Sequence, residues 1–283
     1  HLLISSRRSL DLPSLNKWRV KGTLLEIRSD SMAFTQSEIE TLFESQYHVH
    51  LQPHESKLLF EKTEGWAIGL QMVWQSLRSS PGQGIQRILE DDRESRKALF
   101  AYLAEEVLGH RAEHIQTFLL HTSILSTLDS ETCDFLMSIT NSNQILADLH
   151  QSGLFIEELR PGVYRYHQMF REFLQNRLSR EPEKMLELHR KTASYFSAHQ
   201  IWEHALSHHL SAGDYRQVDQ ILQDVGQKLI KDGLEESVTY WISNFPENEL
   251  RKYPYLNYLL GEVNRYASRF STALENYHAA QRL

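Results

Sequence analysis

Cysteine is nearly missing from this chain: Cys133 is the only one in 283 residues. An intrachain disulfide framework is thereby excluded, and the usage fits a reducing cytosol. Glycine (12) and proline (7) are also scarce, while Leu, Glu, Gln, Ala and Ser are plentiful. That balance favours helix nearly throughout. No apolar run approaches the roughly 20 residues that cross a bilayer, and no charged-then-apolar leader opens the chain. Basic charge is in deficit as well. The net charge of -7 leaves no global footprint for nucleic acid, although a local patch stays open. What is present is ordinary soluble composition over a length sufficient for two or three compact units.

The organising stretch is Leu154–Leu174. Leu154-Phe-Ile156 is short and β-forming, and Arg160-Pro-Gly-Val163 is a turn, with Pro presetting φ and Gly free to take φ > 0. Tyr164-Arg-Tyr-His167 returns as a second strand. From His167 the period changes, and Met169, Phe170, Phe173, Leu174 and Leu178 repeat at three and four, which predicts a helix. Before the hairpin, three apolar faces predict three short helices: Ile115, Phe118, Leu119 and Leu120; Cys133, Phe135 and Leu136; Ile145, Leu146 and Leu149. Three helices closed by a hairpin describe a winged helix over residues 111–180.

Upstream, residues 1–34 read as the end of an α/β unit, with strands at Leu2–Ile4 and Gly22–Ile27 whose parallel neighbours would lie outside the chain. A lone strand cannot stabilise itself, so the chain is expected to be the later part of a longer protein. Residues 35–110 read as a small helical domain. It opens on a capping box at Thr35 and Glu38, continues after Pro53, and carries a third helix through Ile68, Leu70, Met72, Val73 and Leu77. Ser79–Gly84 is the clearest local linker.

Residues 181–283 hold no strand signal, but they do hold a repeat. Leu260-Gly261, Ala273, Tyr277 and Ala280 sit at the spacings of a tetratricopeptide unit, and Ala193, Ala205 and Ala212 stand 68 residues before the three small ones, two periods of about 34. Small residues suit a close crossing of two helices, and the aromatic fills the groove. In the repeat between them Thr239 stands where Ala is expected. The fold class expected is mainly α: a helical lid bundle and a winged helix, then a tetratricopeptide-like superhelical array, with a short β remnant at the start.

Five pieces occur in a fixed order: Arg7 after a terminal strand, Thr63-Glu-Gly-Trp-Ala-Ile-Gly-Leu70, Leu119-Leu-His-Thr-Ser-Ile-Leu125, Tyr164-Arg-Tyr-His-Gln-Met-Phe170, and His204-Ala-Leu followed by Ala212-Gly-Asp214. That order resembles the MalT-like, LuxR-type bacterial transcriptional regulators. These are signal-transduction (STAND) ATPases, of the same broad group as the apoptosome and plant resistance ATPases. The resemblance implies a P-loop nucleotide-binding domain, a lid, a winged helix, a superhelical sensor and a terminal DNA-binding domain. This sequence has no G-x-x-x-x-G-K-[ST], so it looks like the middle of such a protein and is not expected to be an enzyme by itself.

By that resemblance four residues are candidates for nucleotide contact. Arg7 would reach the terminal phosphate with its planar fork; its plain reading is a solvated strand-end arginine. Gly65 and Trp66 stand where relatives have a Gly-Leu-Pro on the adenine. Here Trp and Ala replace Leu and Pro, and the reading preferred for Trp66 is core filler. His167 matches the histidine of a Met-His-Asp motif that touches the β-phosphate of ADP, with Tyr166 and Gln168 in the flanking places; its plain reading is a structural histidine under the hairpin. His204 and His208 share a helix face at i, i+4, as metal ligands can. With no carboxylate or thiol at matching reach they read as repeat-helix histidines, so no metal site is assigned. No catalytic centre stands out, Cys133 reads as core, and the third helix of the winged helix has no Lys or Arg for phosphate contact.

The function so implied is the central segment of an ATP-dependent, signal-responsive transcriptional regulator in the cytoplasm. ATP or ADP would belong to the full-length protein and not to this fragment alone. Its partners would be the upstream nucleotide-binding domain, an inducer or regulatory protein on the repeats, and a second copy when ATP is bound; DNA would be met only through a C-terminal domain outside the chain, and no membrane is expected. Two rivals remain: a helical-repeat adaptor without nucleotide control, and direct DNA binding by the winged helix.

Overall fold

In a computed structural model the described residues are 15–25, 27, 32–79, 85, 103, 108–152 and 155–282. The first strand, Arg7, the Ser79–Gly84 linker beyond Ser79 and Leu154 lie outside them. The chain forms two compact units that divide between Leu178 and Ser179.

The first unit starts with a short helix α1 (Leu15–Val20). The second strand expected at Gly22–Ile27 is not formed at residues 22–25, because an extended segment without a ladder partner has nothing to hold it. Three lid helices follow: α2 (Gln36–Tyr47), α3 (Pro53–Thr63) and α4 (Ala67–Ser79). The capping box is present in both halves: Thr35 Oγ1 accepts from the Glu38 N–H at 3.3 Å, and Glu38 Oε2 accepts from the Thr35 N–H at 2.8 Å. At α3 Pro53 takes the first helical position, and the Gln52 N–H donates to Glu55 Oε2 at 2.9 Å. Ile39, Phe43, Leu59 and Leu70 are fully buried together. Buried Ser56 ties α2 to α3, donating to Glu40 Oε1 at 2.6 Å and accepting from Gln36 Nε2 at 2.9 Å.

The winged helix comprises α5 (Glu113–Thr122), β1 (Leu128–Asp129), α6 (Ser130–Met137), α7 (Ser142–Gln151), β2 (Ile156–Arg160), β3 (Val163–Tyr166) and α8 (Gln168–Leu178). The antiparallel sheet has the order β1-β3-β2, with Leu128 opposite Tyr164 and Ile156 opposite Tyr166. Gly162 takes φ +78° in the turn, as its place there demands. Phe118, Leu119, Cys133, Leu136, Leu146, Leu149 and Phe170 are buried, whereas Phe135, expected in the second apolar face, is exposed.

Alternation along β3 decides what this strand offers each side. Tyr164 and Tyr166 turn inward and are buried, and the Tyr166 hydroxyl donates to Thr122 Oγ1 at 2.7 Å, since that oxygen already donates to the Phe118 carbonyl. Burial pushes the Tyr166 phenol well up from its usual range. Arg165 and the following His167 therefore share the other face.

In the second unit α9 (Pro182–Ala198) pairs with α10 (Trp202–Ser211), α11 (Tyr215–Lys231) with α12 (Glu235–Ser243), and α14 (Pro254–Tyr266) with α15 (Phe270–Arg282), a short α13 (Glu247–Leu250) intervening. These are the stacked antiparallel pairs expected. A Cβ on Gly261 would lie 2.3 Å from the Tyr277 ring, so the glycine and aromatic of the repeat signature are in direct apposition. Ala193, Ala205, Ala212 and Ala273 are all buried. The middle repeat corrects the expected register. Thr239 is exposed, Val238 is fully buried, and Gly226 faces Leu259, so its small positions come one residue earlier.

Between α9 and α10 the buried His189 and His208 meet Nδ1 to Nδ1 at 2.9 Å. Two imidazoles this close share one hydrogen, one donating and the other accepting, which requires at least one neutral ring. Burial draws His189 down to about 4, and burial lowers His209 too, against the pull of Asp214. The folded unit then binds fewer protons than the unfolded chain between the ordinary histidine range and about pH 4. Stability of the second unit is therefore expected to be complete above the ordinary histidine pKa. It should fall by on the order of 2 kcal/mol as pH drops toward 4, as read by urea unfolding at a series of pH values. A flat profile through that window would contradict the shared hydrogen.

Candidate functional site

The segment Thr63–Leu70 fastens the lid to the winged helix, and nearly every residue in it has a definable contact. Helix α3 ends when Glu64 turns left-handed (φ 50°), its N–H closing onto the Phe60 carbonyl at 2.7 Å. Gly65 follows at φ +73°, its carbonyl accepting from the Phe34 N–H at 2.9 Å; a Cβ there would sit 2.1 Å from the Phe34 oxygen. Only glycine satisfies both the dihedral and the approach. Trp66 meets the Phe155 ring edge-on at 4.6 Å between centroids. Gly69 lets α4 close on Met169, whose Sδ would be 3.0 Å from an added Cβ.

The reversal of the chain at Glu64 aims its carboxylate at the winged helix. Oε2 is 2.5 Å from His167 Nδ1 and accepts from the Gln168 N–H, the first of α8, at 3.3 Å. Oε1 is 3.2 Å from Arg165 Nη2. Arg165 is held from behind by Glu157, with Nε and Nη2 at 2.8 and 2.7 Å from one carboxylate oxygen. The His167 N–H continues the hairpin by donating to the Phe155 carbonyl at 2.8 Å. Burial alone would raise the Glu64 carboxyl. The hydrogen bond and charge of His167, the charge of Arg165 and the Gln168 N–H outweigh it and hold the group below the ordinary glutamate range. An ionised carboxylate only accepts, so His167 Nδ1 carries the hydrogen in this contact.

Of the candidates read from the sequence, Gly65, Trp66 and His167 are thus brought to one seam, on Phe34, Phe155 and Glu64 respectively. Arg7 lies outside the described residues. Glu64, Arg165 and Glu157 were not singled out, although the period-2 rule applied to β3 puts Arg165 beside His167. His204 stacks on Phe196 and His208 bonds His189, and among the described residues no group of three or more His, Cys, Asp or Glu is placed to hold a metal. Cys133 is buried and its thiol is pushed far up, chiefly by that burial. Helix α7 carries Asp148, accepting from Gln144 Nε2 at 2.8 Å, and no Lys or Arg. Among the described residues no helix is long and apolar enough to cross a membrane.

Residues 104–186 match the family model of the MalT winged helix domain. The chain is 30% identical, over 79% of its length, to the serine/threonine-protein kinase PknK of Mycobacterium tuberculosis, of which it spans 20%. It is 28% identical over 99% of its length to the HTH-type transcriptional regulator MalT of Serratia proteamaculans, spanning 32% of that protein, and 29% identical over 78% to MalT of Klebsiella pneumoniae, spanning 25%. The chain thus spans about a fifth to a third of these curated relatives. A solved structure of a STAND protein with a tetratricopeptide repeat sensor, PH0952 of Pyrococcus horikoshii, has a TM-score of 0.52 at 16% identity, over 88% of this chain and 35% of that one. That likeness is one of fold.

Two outcomes follow from the seam. Glu64→Gln should lower the stability of the first unit by on the order of 1 kcal/mol at neutral pH. Because the folded pKa of Glu64 is depressed, its contribution is complete above the ordinary glutamate pKa and vanishes as pH falls through the folded value. The gap between wild type and variant in thermal melts should therefore close on acidification, and a gap independent of pH would refute the ionised contact. Gly65→Ala should destabilise the same unit by about 2 kcal/mol or more, through φ and the Phe34 clash together, as read by denaturant unfolding.

Proposed function

We propose that this chain, which belongs with the MalT-like STAND regulators, is the central regulatory segment of an ATP-dependent, signal-responsive transcription regulator in the cytoplasm. The observation that carries the reading is the seam. His167 and Arg165 project from one strand face at the start of α8, beside the lid, and meet an oxyanion there. A donor set of imidazole, guanidinium and helix N-terminal N–H suits a phosphoryl group. In the full-length protein an upstream nucleotide-binding domain would present ATP or ADP to this face, with Arg7 serving the terminal phosphate from its own side and Gly65 and Trp66 shaping the lid behind. The nucleotide would supply the phosphate charge; the residues of this chain would sense it and pass the state on through α8.

The helical pairs of the second unit would take the inducer or regulatory protein, since stacked repeats present extended surfaces suited to that use. DNA would be met by another part of the protein, because the third helix of the winged helix offers no cation to a phosphate backbone. Self-association in the ATP state would complete the response. This fragment alone would not turn over ATP.

The test uses the natural full-length protein. His167→Ala should weaken ADP binding about tenfold and raise basal output from a target promoter. Arg7→Ala should weaken ATP binding instead. If His167→Ala leaves both ADP affinity and basal output unchanged, the nucleotide reading fails and the adaptor reading takes its place.

A further inference from the structure

We infer that the seam is an oxyanion site already filled by the protein's own Glu64, and that a phosphoryl group must displace this carboxylate to reach His167. The inference rests on the proposed nucleotide control, but its argument and its test concern this chain alone.

Three donors of different kinds converge on one carboxylate: His167 Nδ1 at 2.5 Å, Arg165 Nη2 at 3.2 Å and the Gln168 N–H at 3.3 Å. They come from the end of one strand and the first turn of the next helix, a span of four residues. The carboxylate comes from a segment about a hundred residues earlier, delivered by the left-handed turn at Glu64. The donors are therefore a preformed local set, and the acceptor is the element that has come to them. Glu157 keeps the guanidinium in place whether or not Glu64 is there. The set is also within reach of solvent. The side chains of Arg165 and His167 are 42% and 38% exposed, while that of Glu64 is 18% exposed, so an anion can approach from outside once Glu64 swings away.

The donor geometry favours exchange over joint occupancy. His167 gives its Nδ1 hydrogen to Glu64. A phosphoryl group gains the imidazole hydrogen by taking the place of Glu64, and in doing so it also inherits the Arg165 fork and the helix N–H. Arg165 already serves Glu157 beside Glu64, but the His167 Nδ1 hydrogen and the Gln168 N–H are each committed to Glu64 and pass to another anion only when it leaves. Release of Glu64 in turn removes the polar half of the contact between lid and winged helix. The apolar half, Trp66 on Phe155 and Gly69 on Met169, stays.

The probe is inorganic phosphate, titrated into the wild-type chain, Glu64→Gln and Glu64→Ala at ionic strength held constant with sodium chloride, following the His167 ring resonances by NMR. Wild type is expected to respond weakly. Glu64→Ala should bind at least tenfold more tightly, and Glu64→Gln, which keeps the shape of the side chain, should fall between. The gain in Glu64→Ala should be lost when His167→Ala or Arg165→Ala is added. Equal affinity in wild type and both Glu64 variants would overturn the inference. So would weaker binding in the variants, which would make Glu64 a positioning residue for the imidazole instead of its competitor. If Glu64→Ala does not fold, Glu64→Gln decides alone. Should the phosphate result hold while His167→Ala leaves ADP affinity of the full-length protein unchanged, the site stands and the nucleotide reading falls; the reverse pattern separates them the other way.

Discussion

A single carboxylate, gripped by a guanidinium, an imidazole and a helix N-terminus, makes the polar join between the lid helices and the winged helix in the first half of this protein. Each participant is there for an elementary reason. The pleat of β3 buries Tyr164 and Tyr166, and the same alternation that hides them leaves Arg165 and His167 together on the other side. Helix α3 ends in a left-handed residue, which throws Glu64 out of the helical path and toward them. Gly65 then lets the chain pass against the Phe34 backbone, where any side chain would collide. The eight-residue stretch around Trp66 is thus less a binding motif in isolation than a set of fasteners between two folds, one polar and two apolar.

How much of this could be read in the sequence depended on the range of the interaction. The capping box at Thr35 and Glu38 was legible because three residues and one rule suffice for it. So was the turn at Pro161-Gly162, and so was the close crossing at Gly261 and Tyr277, where a small residue and an aromatic recur at fixed spacing. The pairing of Glu64 with His167 was not legible, since it spans 103 positions and nothing local calls for it. The third strand of the wing, Leu128–Asp129, is two residues long and exists only because β3 offers it a free edge. The slip in the middle repeat escaped for a related reason. A strict period of 34 points to Thr239, but burial chooses Val238 and Gly226, and the extra turn of α13 absorbs the difference before the last pair. Periodicity predicts which kind of residue recurs; packing decides which copy is used.

The histidines illustrate the same division. His204 and His208 lie on one repeat helix, and their spacing alone permits a metal site. In the fold both stack on Phe196, and His208 shares a hydrogen with His189, which burial keeps neutral. His167 has a comparable sequence setting, at the mouth of an amphipathic helix, yet its ring meets an ionised carboxylate and a neighbouring guanidinium in partly exposed surroundings. The residue type is shared, but the dielectric and the partner differ. Those two conditions separate a histidine that packs from one that can respond to charge.

A latch of this composition has a useful strength. A partly exposed carboxylate held by one arginine, one histidine and one amide contributes about 1–2 kcal/mol, which changes a two-state ratio by roughly five- to thirtyfold. A ligand can shift an equilibrium only by its differential affinity for the two states. A phosphoryl group that takes over the same three donors supplies a difference of about that size, because it gains what the carboxylate loses. A fully buried ion pair would be too costly to break on a signal, since removing one partner strands the other in low dielectric. A solvated pair would be worth too little to hold anything. The intermediate exposure of Glu64, Arg165 and His167 lies between those limits, and the flanking contacts of Trp66 and Gly69 keep the two folds in company while the polar grip changes hands.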